Sequence, residues 1–220
     1  PSILEQSCIA AILATWYNAI TLTEQLIAAK QKLKRGLMQV LLTGKMRFPE
    51  FNDKEWTEIQ LGDFLILTLR RIPKPDKPYK ALSIRSHGKG TFSRDIEDPD
   101  NITMTHVYEV QAGDLIVNIT FAWEGAIALV KKSDEGCLVS HRFPTYRFDQ
   151  TKVLPEYFQY LMVTKQFFSE LGLISPGGAG RNRVLDKNDF LKLKVTVPRI
   201  EEQKRVANIL QACDIEITLL

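Results

Sequence analysis

Between residues 2 and 48 no proline interrupts the chain, and apolar positions recur there at intervals of three and four. The series Ile9, Ile12, Trp16, Ala19, Thr23, Leu26, Lys30, Leu33, Leu37 and Val40 is apolar at eight of its ten positions. Such a seam predicts a coiled-coil helix that packs along its length against a partner through Ile9, Ile12, Trp16, Ala19, Leu26, Leu33, Leu37 and Val40. A second line, Leu13, Ile20, Ile27 and Leu41, broken by Lys34, runs beside the first at heptad spacing. The apolar face is therefore wider than a two-stranded seam requires, with room for more than one neighbour. Gly44, followed by Lys45 and Arg47, is a fitting stop. A helix of about 40 residues rising 1.5 Å per residue spans about 60 Å. A long core helix of a bundle is the plainer reading of the same periodicity.

Beyond Phe48 the period shortens. "YKALSIR" (79–85), "HVYEV" (106–110), "DLIVNITF" (114–121), "AIALV" (126–130), "TYRF" (145–148) and "LKVTV" (193–197) read as strands separated by turns. Among them "LPEYFQYLMVTKQFFSEL" reads as one helix, with Pro155 in its first turn and Gly172 just past its end. The expected class is mixed α/β (α+β): one globular domain with its own core, attached to a long coiled-coil helix.

The last residues then return to the first. An offset of 197 lays "PRIEEQKRVANILQACDIEITL" on "PSILEQSCIAAILATWYNAITL" without a gap. Pro1 meets Pro198, Glu5 and Gln6 meet Glu202 and Gln203, and Ile20-Thr21-Leu22 meets Ile217-Thr218-Leu219. Two copies of one helix start thus flank the globular part.

Composition adds less. The 220 residues are 45% apolar and 25% charged, as in an ordinary soluble protein of one or two domains. The apolar runs are too short for a membrane helix, and "PSILEQSCIAAIL" lacks the basic start of a signal peptide, so a cytoplasmic address is expected. A first residue of Pro1 rather than Met suggests a fragment or processed chain, with further sequence expected on either side. Cys8, Cys137 and Cys213 stand far apart, and His87, His106 and His141 show no ligand spacing, so no metal site or disulfide framework is expected.

The net charge of +3 is unremarkable, but its distribution is not. Arg70, Arg71, Lys74, Lys77, Lys80, Arg85, Lys89 and Arg94 face only one acid, Asp76, within 25 residues. That density can hold phosphates, although a solvated loop carrying Pro73, Pro75 and Pro78 explains it equally well.

The pattern P-x-I-x-E-Q-x-x-x-A-x-I-L at both helix starts, together with "LKRGLMQVLLTGKMRFPEF" at the end of the first helix, resembles the conserved spacer regions of type I restriction-modification specificity subunits. "AGDLIVNITFAWEGAIALV" is similar to a G-D-x-L strand and the following Gly-bearing hairpin of that family's target recognition domains. The resemblance implies a spacer helix over residues 1–47, a recognition domain over 48–197 and the start of a second spacer helix over 198–220. It also implies the partners. Each recognition domain reads one half of a split double-stranded DNA site in the major groove, antiparallel helices set the separation, and two methyltransferase subunits dock, bringing the restriction subunit with them. A full member has two recognition domains, so this chain is either half of a longer subunit or a half-size version that pairs head to tail with a second copy.

Candidate DNA contacts follow. "SPGGAGRNR" (175–183) offers Gly177, Gly178 and Gly180 for close backbone approach, and Arg181, Asn182 and Arg183 for pairing with base edges. Its plain reading is a flexible surface loop; the resemblance, in which a Gly-bearing loop before the final strand faces DNA, favours function. Arg85, His87 and Lys89 come next as phosphate contacts. Asn118 and Thr120, alternating on an apolar strand, share one face and read bases or simply meet solvent. Trp123 is expected in core or hairpin packing, and His141 with Arg142 is ambiguous.

No catalytic machinery is expected. A methyltransferase needs a D/N-P-P-Y motif and a Gly-rich cofactor loop, and neither is present. "HGKGT" (87–91) fails as a phosphate loop because Gly90 follows Lys89. Glu202-Gln203-Lys204 with Asp76 or Asp100 only weakly imitates a metal-dependent nuclease. The sequence therefore predicts a cofactor-free specificity module, with a protein-interaction scaffold as the alternative and a nuclease a distant third.

Overall fold

The computed structural model describes residues 1–175, 177 and 183–220, which divide into two compact units, 1–48 with 205–220 and 49–204. The mixed α/β class expected from the sequence is the class observed.

In the first unit, helix α1 spans Ile3–Leu41. A capping box starts it: Glu5 N donates to Ser2 Oγ at 3.3 Å, and Ser2 N donates to Glu5 Oε2 at 2.6 Å. It ends where the chain turns at Gly44, and Met46 N closes back on Val40 O at 3.1 Å. Helix α5, Ile200–Leu219, runs antiparallel to α1, since Lys30 pairs with Glu216 at 2.7 Å and Lys34 pairs with Asp214. The neighbouring Glu216 carboxylate holds the Lys30 ammonium above its ordinary pKa.

These ion pairs show which line of α1 faces α5. The half-covered or buried line of α1 is Thr23, Ile27, Lys30, Lys34, Leu37 and Leu41, whereas Ile9, Ile12, Trp16, Ala19, Leu26 and Leu33 are exposed and Val40 is half-buried. The two lysines that interrupt the apolar series lie on the covered face because α5 meets them with carboxylates. Length matters as well. A 20-residue α5 is about 30 Å long and a 39-residue α1 about 58 Å, so the first half of α1 has no helix beside it in this unit. On α5 the covered stripe includes Val206, Leu210, Cys213 and Ile217, and the repeat makes these equivalent to Ile9, Leu13, Trp16 and Ile20 of α1, all exposed.

The second unit carries three small sheets. Strand β1 (Thr57–Gln60) pairs antiparallel with β11 (Lys194–Val197), closing the domain's two ends on each other. A four-stranded antiparallel sheet runs β2 (Leu65–Leu67), β10 (Thr145–Phe148), β7 (Leu115–Val117), β8 (Ile127–Leu129). A five-stranded sheet runs β3 (Arg70–Pro73), β6 (His106–Glu109), β9 (Leu138–Val139), β4 (Tyr79–Ile84), β5 (Thr91–Ile96), with β4 and β9 parallel. Leu82, Ile84, Val110, Ile116, Ala128 and Val139 of both larger sheets bury one core. A second cluster stacks Phe64, Phe148, Phe158 and Phe167 with centroids 5.6 to 6.1 Å apart.

The single helix expected over 154–171 is two, α2 (Pro155–Leu161) and α3 (Lys165–Leu173). Thr164 breaks it: its Oγ1 donates to Leu161 O at 2.8 Å and accepts from Phe167 N at 3.3 Å, ending one helix and capping the next. Helix α4, Lys187–Lys192, is capped by Asp186, which accepts from Asn188 N and Asp189 N.

Two polar joints hold the domain. Buried Asp114 takes two bonds from Arg70, at 2.5 and 3.2 Å, and a third from Gln111 N at 3.0 Å. This gives the G-D-x-L stretch a structural role. Buried Gln203 donates to Pro198 O and Lys152 O, each at 2.9 Å, and accepts from Leu154 N at 2.9 Å. At the first helix start Gln6 repeats only the bond to the equivalent proline carbonyl, Pro1 O at 3.1 Å.

Arg70→Ala leaves the Asp114 carboxylate buried without its cation and lowers stability by about 3 kcal/mol, read from urea unfolding. The Arg70→Ala, Asp114→Ala pair costs less than the two single changes added together. An unchanged urea midpoint for Arg70→Ala contradicts the role given to this pair.

Candidate nucleic-acid interface

Strand ends leave main-chain groups unpaired, and at one end of the domain four segments satisfy each other. These are the β4–β5 turn (85–90), the β7–β8 loop (118–126) and the segments 140–144 and 183–185. His87 N donates to Glu124 O at 2.7 Å and Gly88 N to Gly125 O at 2.9 Å, while Ser86 Oγ reaches Glu124 Oε2 at 2.9 Å. Ile119 N donates to Arg142 O at 3.0 Å, and Leu185 N to Ile119 O at 2.8 Å.

Packing locks the same junction. A side chain at Gly88 would begin 2.5 Å from Val163 Cγ1, and one at Gly125 would begin 2.8 Å from the Phe168 ring. Both glycines have positive φ, 65° and 73°, which favours glycine on conformational grounds as well. His87 also sits in the left-handed region at φ 63°, a conformation that costs a non-glycine residue about 1 kcal/mol or more. The turn thus spends backbone strain to hold an imidazole outward, a pattern found at ligand-binding positions.

The sequence candidates fall into three groups. Arg85, His87 and Lys89 are exposed on this one turn. Arg85 is oriented by Thr91 O, 3.0 Å from Nη1, and by the Phe92 ring, 4.7 Å from Cζ. Asn118 and Thr120 do not share a strand face, because β7 ends at Val117. Asn118 accepts Thr120 N at 3.1 Å in an Asx turn, so its side chain builds the loop. Gly177 is exposed, while Gly178, Gly180, Arg181 and Asn182 lie outside the described residues. Arg183 is half-buried, its guanidinium 5.3 Å from the centroid of the Trp123 ring.

Trp123 was not legible as part of this cluster. Its Nε1 donates to Thr120 O at 3.2 Å, which fixes the indole inside the loop while one face carries Arg183. Lys131 was missed too: exposed, its Nζ lies 4.0 Å from where a Gly90 side chain would begin. Much of the basic segment serves the fold instead. Arg70 is paired with Asp114, Arg71 Nη2 contacts His106 Nδ1 at 3.0 Å, and Lys74 donates to Pro99 O and Ile102 O. What remains is an outward set of cations on mutually braced loops, the arrangement that phosphate contact requires. Among the described residues no group of three or more His, Cys, Asp or Glu is placed to hold a metal, and no helix is long and apolar enough to cross a membrane.

Gly88→Ala, strained at positive φ and abutting Val163, lowers stability by about 2 kcal/mol. His87→Gly relieves strain and raises stability by up to about 1 kcal/mol. Thermal or urea unfolding of the two variants checks this opposite pair of signs.

The family profile described as "Type I restriction modification DNA specificity domain" matches residues 53–220. The chain is 24% identical over 235 residues to the type I restriction enzyme MjaVIII specificity subunit of Methanocaldococcus jannaschii, covering 97% of this chain and 54% of that protein. Its fold is similar to the HsdS subunit from Thermoanaerobacter tengcongensis, with TM-score 0.56 at 17% identity, over 100% of this chain and 53% of the other. It is also similar to the type I restriction-modification S subunit from M. genitalium, with TM-score 0.57 at 13% identity, over 99% and 56%. The chain spans about half the length of each. With a profile match over most of its residues, the chain belongs to the type I restriction-modification specificity family.

Proposed function

We propose that this chain is a non-catalytic DNA-reading module of a type I restriction-modification system, in which residues 48–197 recognise one half of a bipartite double-stranded target. The observation that carries this reading is the braced loop cluster, with Arg85, His87, Lys89, Lys131 and Arg183 on loops tied by main-chain bonds. Arg85, Lys89 and Lys131 neutralise phosphates and set the register; Arg183, with Arg181 and Asn182, supplies base contacts. The spacer segments 1–47 and 198–220 fix half-site distance and dock methyltransferase subunits, through which a restriction subunit joins. Methyl transfer and cleavage belong to those associated chains, in the cytoplasm.

The exposed half of α1 supports a second proposal, a head-to-tail dimer. Ile9, Leu13, Trp16 and Ile20 repeat the stripe that is covered on α5, and each is at least half exposed. Leaving such a face in water is unfavourable by about 25 cal/mol per Å² of apolar surface, which a partner helix recovers. A second copy offers such a helix and generates a two-fold symmetric split target.

In a complex with its methyltransferase subunits, the wild-type chain binds duplex DNA with a steep salt dependence. Arg85→Ala and Lys89→Ala each weaken all sequences alike and reduce the salt slope by about 1. Salt-insensitive or absent binding instead favours a pure protein scaffold, and magnesium-dependent cutting by the isolated chain favours a nuclease. For assembly, sedimentation at micromolar concentration gives a dimer for the wild type and a monomer for Leu13→Glu, Trp16→Glu; a monomeric wild type overturns the pairing.

A further inference from the structure

We propose that Trp123 is a positioning residue for specificity, holding Arg183 flat so that its in-plane donors present a bidentate fork to a guanine edge. The inference rests on the DNA-reading proposal and adds to it the residue that prepares one base contact. Three observations carry it. The guanidinium carbon lies over the indole, 5.3 Å from its centroid, so the ring limits how the group can turn. Among the described residues Arg183 has no hydrogen-bond or ion-pair partner, so its N–H edges are uncommitted. The platform is itself fixed: Nε1 is held by Thr120 O, the next residue, Glu124, receives His87 N and Ser86 Oγ, and Gly125 is pressed on Phe168.

A planar guanidinium already held over a ring loses less freedom when it binds than a free one. Guanine offers O6 and N7 side by side in the major groove, matching two parallel donors. A phosphate would accept the same fork, but reading there is independent of sequence. The two sources are therefore separable by whether one base position, or all sequences equally, responds.

The test selects random-sequence duplexes with the wild-type complex and with variants of this chain. Arg183→Ala and Arg183→Lys should both flatten the preference at one base pair by about tenfold or more, because a lysine keeps the charge and loses the fork. Trp123→Leu should flatten the same position, and the Trp123→Leu, Arg183→Ala pair should be no worse than Arg183→Ala alone. Trp123→Phe, which keeps an aromatic face, should retain the preference, and it decides the matter if Trp123→Leu fails to fold. The inference is overturned if Trp123→Leu and Trp123→Phe both leave profile and affinity unchanged, or if Arg183→Ala weakens every sequence alike while lowering the salt slope by about 1. An intact Arg183→Ala profile overturns this inference alone; a wild-type complex without any sequence preference overturns the DNA-reading proposal with it.

Discussion

The loops of the candidate interface depend on main-chain hydrogen bonds made from one loop to another. His87 N and Gly88 N have no strand neighbour, and they find the carbonyls of Glu124 and Gly125 instead. Because backbone groups must be paired when removed from water, this contact fixes two loops as one body whatever their exposed side chains are. The arrangement separates support from display. Gly88, Gly125, Val163 and Phe168 set the spacing, while His87 and Lys89 face solvent and Arg85 is steadied by Thr91 O and the Phe92 ring. Under that division the display positions can change without loosening the frame.

The helical unit works under a different constraint. Coiled-coil periodicity defines several possible faces, and charge selects among them. Lys30 and Lys34 look like flaws in two apolar lines, yet they mark the covered face, because Glu216 and Asp214 stand opposite. The repeat sharpens the point. At the equivalent positions the first helix has Ala19 and Tyr17, so its opening half matches the apolar stripe of α5 without matching its acids. The two copies of the helix start carry the same apolar stripe and differ in the charges beside it.

Periodicity, turn chemistry and repetition were legible in the sequence; competition among side chains was not. Strand 145–148, the helix stop at Gly44 and Pro155 in a first turn all follow local rules and appear as read. The split at Thr164 was hidden because a single hydroxyl both ends one helix and caps the next within an apolar stretch. Strand 114–121 is shorter than its alternation implied, since Asn118 turns the chain with its own side chain. At the site, the basic density from Arg70 to Arg94 was visible, but not that Arg70, Arg71 and Lys74 are committed to partners distant in sequence. Trp123 was legible as a hairpin residue, but its contact with Arg183 was not, because that partner lies sixty positions later.

Gln203 joins Pro198 O, Lys152 O and Leu154 N, whereas Gln6, its equivalent in the first helix start, meets only Pro1 O. The bonds to the globular part are therefore made once, through Gln203, and are not repeated at Gln6. All three of its partners are main-chain groups, so the joint does not depend on which side chains the domain carries at those positions.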